Sequence, residues 1–271
     1  MTRQPTCVEN TMIAGLALDL AYDGRCIASG LDVDIPRGCI TAIVGPNACG
    51  KSTLLRALSR LLAPHAGQVI LDGKDIRRYR ARELARKLGL LPQSCLAPPG
   101  IRVADLVARG RYPHLSPARQ WSDADEAALC QAMADTGVTD LAERAVDDLS
   151  GGQRQRVWLA MALAQQTPVL LLDEPTTFLD IAHQLDLLAL CRKLNRENGQ
   201  TLVMVLHDLN QAARYADRLI AMRAGTILAS GPPREVLTPA LVERLFGIRC
   251  IVMPDPVDGS PLVIPLHTTP A

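Results

Sequence analysis

The sequence predicts an α/β fold, on three observations. Short β-branched apolar runs alternate with stretches of helical periodicity. A glycine-rich octapeptide, Gly45-Pro46-Asn47-Ala48-Cys49-Gly50-Lys51-Ser52, lies between one such run and the helix pattern after it. A strand-poor stretch at 98–137 interrupts the alternation, as a helical insert does.

The elements follow in order. Residues 39–44 (CITAIV) read as a buried strand entering a turn at Gly45-Pro46. Residues 51–62 read as a helix, with Leu54, Leu55, Leu58, Leu61 and Leu62 on one stripe and Pro64 beyond its end. A strand at 68–71 closes on Asp72-Gly73, 80–87 is helical, and 88–91 is a further buried strand. In the insert, 103–109 and 122–136 are helical. Ser122 and Asp125 have capping-box spacing, and Gly137 closes the second helix. Residues 154–166 are helical, with Val157, Ala160, Met161 and Ala164 at i, i+3, i+4 and i+7. Residues 169–172 form an apolar strand. Leu187, Leu190, Cys191 and Leu194 mark a helix ending near Gly199. A strand at 201–206 and a hairpin of 219–223 with 226–229 follow. Thr238 caps a last helix that starts at Pro239 and stops at Gly247, before a proline-rich tail from 248.

Composition excludes several classes. Of the 271 residues 48% are hydrophobic and 21% charged, so the chain is not largely disordered. A net charge of +1 and 3% aromatic content argue against nucleic acid as a partner. The longest uncharged run, 157–172, is too short to span a bilayer and is interrupted by Gln165, Gln166, Thr167 and Pro168. Glu9 and Asp19 and the lack of an apolar signal core give no indication of export. The eight cysteines (7, 26, 39, 49, 95, 130, 191, 250) include no CxxC pair and read as reduced cytosolic thiols. His65, His114, His183 and His267 form no helix-spaced pair, which gives them no metal role. The basic cluster Arg77, Arg78, Arg80, Arg82, Arg86 and Lys87 reads as a solvated face.

The octapeptide fits GxxxxGK[ST] and has the strand-to-helix context that this motif requires. Its glycines let backbone N–H groups turn around an anion, and the helix N-terminus adds partial positive charge. Lys51 reaches β- and γ-phosphates, and the Ser52 hydroxyl suits Mg²⁺. Residues 169–172 run into Asp173 and Glu174. A buried strand delivers Asp173 to the carboxyl edge of the sheet to hold the metal through water, and leaves Glu174 to polarise a water. Cys49 lies inside this loop, near its cationic site, and is expected to be reactive.

Leu149-Ser150-Gly151-Gly152-Gln153, placed between the phosphate loop and the acidic strand, is highly specific. With it the chain resembles the ATP-binding cassette subunits of membrane transporters over about residues 10–266. The motifs at 110–114 (GRYPH), 149–165, 170–184, 206–217 and 255–266 narrow the resemblance to ferric-siderophore importer ATPases, closest to the ferric-enterobactin type. Ferric-hydroxamate, ferric-citrate, haem and cobalamin importers are close cousins.

The resemblance implies a RecA-like P-loop NTPase core with an antiparallel β portion and a helical insert subdomain. Its parts are 1–95 and 151–247 for the core, 96–150 for the helical subdomain and 248–271 for the tail. It implies ATP and Mg²⁺ as cofactors, with Glu174 as general base, His207 as the γ-phosphate switch and Gln93 as a Mg²⁺ sensor. Tyr22 stacks on adenine, Thr53 joins the phosphate cradle, and Asp180 belongs to the loop after Glu174. Ser150, Gly151, Gly152 and Gln153 face the nucleotide of a second copy in a head-to-tail dimer. Transmembrane permease subunits dock near 96–114, and a periplasmic or lipoprotein substrate-binding protein acts indirectly. The cassette would sit peripherally at the cytoplasmic face of the membrane. Ala48 replaces the usual glycine, and Thr177-Phe178 replaces the Ser-Ala common elsewhere. A soluble cassette ATPase uncoupled from transport, a haem or cobalamin importer and a non-catalytic nucleotide sensor remain as alternatives.

Overall fold

The computed structural model describes residues 10–22, 24–115 and 120–266. Its strands are β1 (Thr11–Tyr22), β2 (Arg25–Pro36), β3 (Ile40–Val44), β4 (Ala66–Leu71), β5 (Lys74–Asp75), β6 (Leu88–Leu91), β7 (Val169–Asp173), β8 (Thr201–Val205), β9 (Arg218–Arg223), β10 (Thr226–Gly231), β11 (Cys250–Pro254) and β12 (Pro261–Pro265). The helices are α1 (Lys51–Leu58), α2 (Ala81–Ala85), α3 (Val103–Ala108), α4 (Asp123–Asp135), α5 (Gly151–Ala164), α6 (Ile181–Asn198), α7 (Leu209–Tyr215), α8 (Pro233–Val236) and α9 (Pro239–Phe246).

The apolar runs become one sheet in the order β10-β9-β3-β8-β7-β6. All neighbours are parallel except β10, which turns back antiparallel on β9. Both faces are covered, which is why these strands carry continuous apolar sequence. Alternate residues supply two separate cores. Leu170, Leu172, Leu202 and Met204 face the core shared with the helical region. Val169, Leu171, Val203 and Val205 face the core shared with α1 and the first strands.

That second core is capped by an antiparallel sheet, β2-β1-β4-β5. The proline-rich tail from 248, to which the sequence reading gave no element, forms the β11–β12 hairpin, with Ile251 opposite Ile264. The helix expected over 51–62 ends at Leu58, because Arg60 turns to φ 64 and the amides of Leu61 and Leu62 return to the Arg56 carbonyl. Leu61 consequently leaves the predicted stripe and is 67% exposed.

Between β6 and β7 the chain makes helices and turns. The expected capping box is present, with the Ser122 hydroxyl and backbone N–H both donating to Asp125 Oδ2 at 2.6 and 3.1 Å. Asp125 is also held through Oδ1 by Arg111 Nε and Nη2, at 2.9 and 2.8 Å, and both residues are buried. Arg111 donates onward to the Ala164 carbonyl at 2.8 Å. Gly110 beside it lies so close to α5 that a Cβ would meet the Met161 carbonyl oxygen at 2.2 Å. The GRYPH motif thus clamps the end of α3 and the start of α4 to the end of α5.

Candidate functional site

Strand register assembles the site. Leu91 of β6 lies level with Leu172 of β7, and Asp173 of β7 lies level with Val205 of β8. Gln93, Glu174 and His207, each one or two residues further on, therefore emerge together at the carboxyl edge, where ligands of open α/β sheets bind. Glu174 is gripped from both sides. Gln93 Nε2 donates to Oε2 at 2.8 Å, and His207 Nε2 lies 2.8 Å from Oε1. Glu174 itself adopts φ 53, a left-handed backbone that costs a non-glycine residue on the order of 1–3 kcal/mol. Asp208 follows His207 and caps α7 by accepting from the amides of Asn210 and Gln211, which fixes where His207 leaves β8.

The glycine-rich loop sits opposite. Asn47, Ala48, Gly50, Lys51, Ser52, Thr53, Gln93, Glu174 and His207 line one cleft of about 350 Å³. Helices α5, α6, α7 and α9 begin on side-chain caps, whereas α1 begins at Gly50 with none. Its first-turn amides have no side-chain partner and are open to an anion. Lys51 Nζ donates to the Gly45 and Pro46 carbonyls at 2.8 Å each, which holds the ammonium over the loop. Ala48 has φ 58, so the replacement for glycine carries the left-handed cost of about 1–2 kcal/mol.

The two residues expected to hold the metal form a hydrogen-bonded pair, Ser52 from the cleft lining and the buried Asp173. Ser52 Oγ donates to Asp173 Oδ1 at 2.8 Å. Asp173 is buried, and burial pushes its carboxyl above the usual range against the lowering effect of the Ser52 hydrogen bond. A carboxylate and a hydroxyl beside a phosphate cradle form the hard oxygen set that Mg²⁺ prefers, so the residues fit that ion. No helix among the described residues is long and apolar enough to cross a membrane.

Known proteins give the cleft its context. The family model described as ABC transporter matches residues 28–177. The chain is 56% identical over 257 residues to the ferric enterobactin transport ATP-binding protein FepC of Escherichia coli (strain K12), covering 95% of each chain. The chain belongs to the ABC transporter family. It is also 52% identical to the achromobactin transport ATP-binding protein CbrD of Dickeya dadantii (strain 3937), over 94% of this cassette and 95% of that protein. Among solved structures it resembles the dimeric structure of MJ0796, a bacterial ABC transporter cassette. That match has TM-score 0.74 and 27% identity and covers 82% of this chain and 98% of that one.

The remaining expected residues lie elsewhere on the cassette. Ser150 and Gln153 close a capping box at the start of α5, with the Gln153 amide donating to Ser150 Oγ at 3.2 Å. Serine keeps its own O–H as a donor in that arrangement. Gly151 and Gly152 are not in the cleft. They lie against Phe178, which is 76% exposed and has φ 68. Asp180 caps α6 through the His183 amide at 2.9 Å. Tyr22 lies outside the cleft lining, and its hydroxyl accepts from Arg56 at 3.2 Å. Cys49 departs from expectation. Its side chain is buried, and burial raises the thiol despite the nearby Lys51, so the cationic loop does not activate it. Sequence reasoning gave Thr177 no contact with Glu174, yet its hydroxyl reaches Glu174 Oε2 at 3.4 Å. Its position three residues after the acid was the available signal.

Proposed function

We propose that this cassette hydrolyses ATP to energise import of an iron–siderophore complex. In this reading it is peripheral to the cytoplasmic face of the membrane and acts as a dimer beneath transmembrane permease subunits, with a substrate-binding protein acting indirectly. The siderophore part rests on likeness to proteins named for ferric enterobactin and achromobactin transport. The catalytic part rests on one observation, the carboxylate of Glu174 held between Gln93 and His207 above an uncapped helix start.

Lys51 and the amides of the loop grip the β- and γ-phosphates of ATP. Asp173 and Ser52 would hold Mg²⁺, which neutralises phosphate charge when bound. Glu174 accepts the proton of the attacking water, and Gln93 and His207 fix the direction of its carboxylate. Ser150 and the amides of Gly151 and Gly152 from the second copy close over the γ-phosphate as an anion nest. ATP therefore binds the closed pair better than the open one, and hydrolysis removes that preference. Leu96, 94% exposed, and Tyr112, 58% exposed, give the region after Gln93 an uncovered apolar surface for the permease.

The test is reconstitution with the neighbouring permease in proteoliposomes loaded with ATP and magnesium. Uptake of ferric enterobactin that ceases with Glu174→Gln is expected. ATP hydrolysis without uptake of any ferric siderophore would reject the substrate assignment and leave the ATPase intact.

A further inference from the structure

A second cleft, of about 530 Å³, shares no lining residue with the catalytic one. Its walls come from the second half of α6, the end of α7, the start of α8 and the turn between β11 and β12. Four guanidinium groups line it, from Arg192, Arg196, Arg214 and Arg234, against one carboxylate, Asp258. The lining has an excess of positive charge, and a concave wall with such an excess focuses the field on whatever enters.

Internal contacts account for part of this charge. Arg214 spends its fork on Asp258 at 2.9 Å and Asp255 at 3.1 Å. Arg192 Nη1 donates to the Arg214 carbonyl, and Arg234 Nη2 reaches the Gly259 carbonyl at 3.3 Å. A guanidinium has five N–H donors, so Arg192 and Arg234 retain most of theirs. Arg196 has no hydrogen-bond or ion-pair partner among the described residues. The negative end of the α6 dipole explains arginines near its last turns. Arg214 of α7 and Arg234 of α8 also stand in the last turns of their helices, and three helix ends thus bring their arginines to one concavity.

The remaining lining is small. Ala213, Ala216 and three prolines offer no aromatic or large aliphatic anchor of the kind that protein partners use. The volume falls within the range of small-molecule sites. We propose that this cleft binds a compact polyanion with at least two phosphate or carboxylate groups. Arg196 of α6 and Arg234 of α8 hold it, with Arg192 as a further donor.

Pyrophosphate and citrate, titrated separately by calorimetry into the full-length Lys51→Ala chain at about 0.15 M salt, test this without the phosphate-loop lysine. One saturable site is expected for at least one probe, weakened at least about tenfold by Arg196→Gln with Arg234→Gln. Both positions are exposed, so the urea midpoint should not move. Pyrophosphate alone binding identifies a phosphate-bearing ligand, and citrate alone a polycarboxylate. No saturable binding below about 1 mM, or equal affinity in the double variant, overturns the proposal. Binding of a poly-glutamate peptide but of neither small anion also overturns it.

Discussion

Gln93 and Glu174 are 81 residues apart in the chain, yet their side chains meet at 2.8 Å. The contact depends on β6 and β7 pairing in register, so any event that moves the start of the helical region moves the neighbour of the Glu174 carboxylate. A permease docked after Gln93 would thereby reach Glu174 through one hydrogen bond.

Glu174→Gln keeps the size of the side chain and removes its basicity. Nucleotide affinity should stay within about threefold, while steady-state ATP turnover falls at least about 100-fold. Wild-type turnover in this variant would strip Glu174 of its role.

Asp173 carries a trade between stability and function. Burial raises its carboxyl, so charging it costs the folded chain more than the unfolded one. Stability is therefore lost as pH rises through the unfolded value near 3.8 and stays lower above it. Asp173→Asn should stabilise the nucleotide-free chain at pH 7 by roughly 0.5–2 kcal/mol in urea titrations and lose magnesium-dependent turnover. The stability gap should close below about pH 4. A destabilised, fully active variant would contradict both halves.

Asp125 has the opposite sign. The Ser122 hydroxyl, together with Arg111, lowers its carboxyl from the ordinary 3.8 to about 2. Its contribution is present above the unfolded value and is lost as pH falls from about 4 to about 2. Asp125→Ala leaves the Arg111 guanidinium buried without its carboxylate and should cost about 3–5 kcal/mol at neutral pH. Urea midpoints for both chains should converge on acidification through that window.

Ala48 at φ 58 makes the phosphate loop improvable. Ala48→Gly relieves about 1–2 kcal/mol of left-handed strain and gives back about 0.4–1 through a freer unfolded chain. A net gain of roughly 0.5–1 kcal/mol in chemical unfolding is expected. A lower midpoint would mean that the loop tolerates alanine without strain.

The parallel strands were legible because burial on both faces leaves unbroken apolar runs, and the cleft was legible because its residues sit at the ends of those strands. β1 and β2 were not, since bulges near Gly15–Leu18 and the left-handed Ala17 break their alternation. The tail hairpin was hidden by Pro254, Pro261 and Pro265, which stand at strand ends, where a ladder tolerates proline. The end of α1 was missed because Leu61 and Leu62 prolong the periodic pattern past the reversal at Arg60. Cys49 is buried in the core that also holds Met222 of β9, a long-range packing that no local pattern encodes.

Gly45 is where the loop meets that strand. A Cβ there would lie 2.0 Å from the Met222 carbonyl oxygen, and the Gly225 amide also donates to the Cys49 carbonyl at 3.0 Å. The loop is braced by main chain on the side away from the cleft. Its shape is settled during folding, so an incoming triphosphate has little ordering left to cover. A cradle this rigid reads only the phosphate tail, and discrimination between one nucleobase and another has to be made by other parts of the surface.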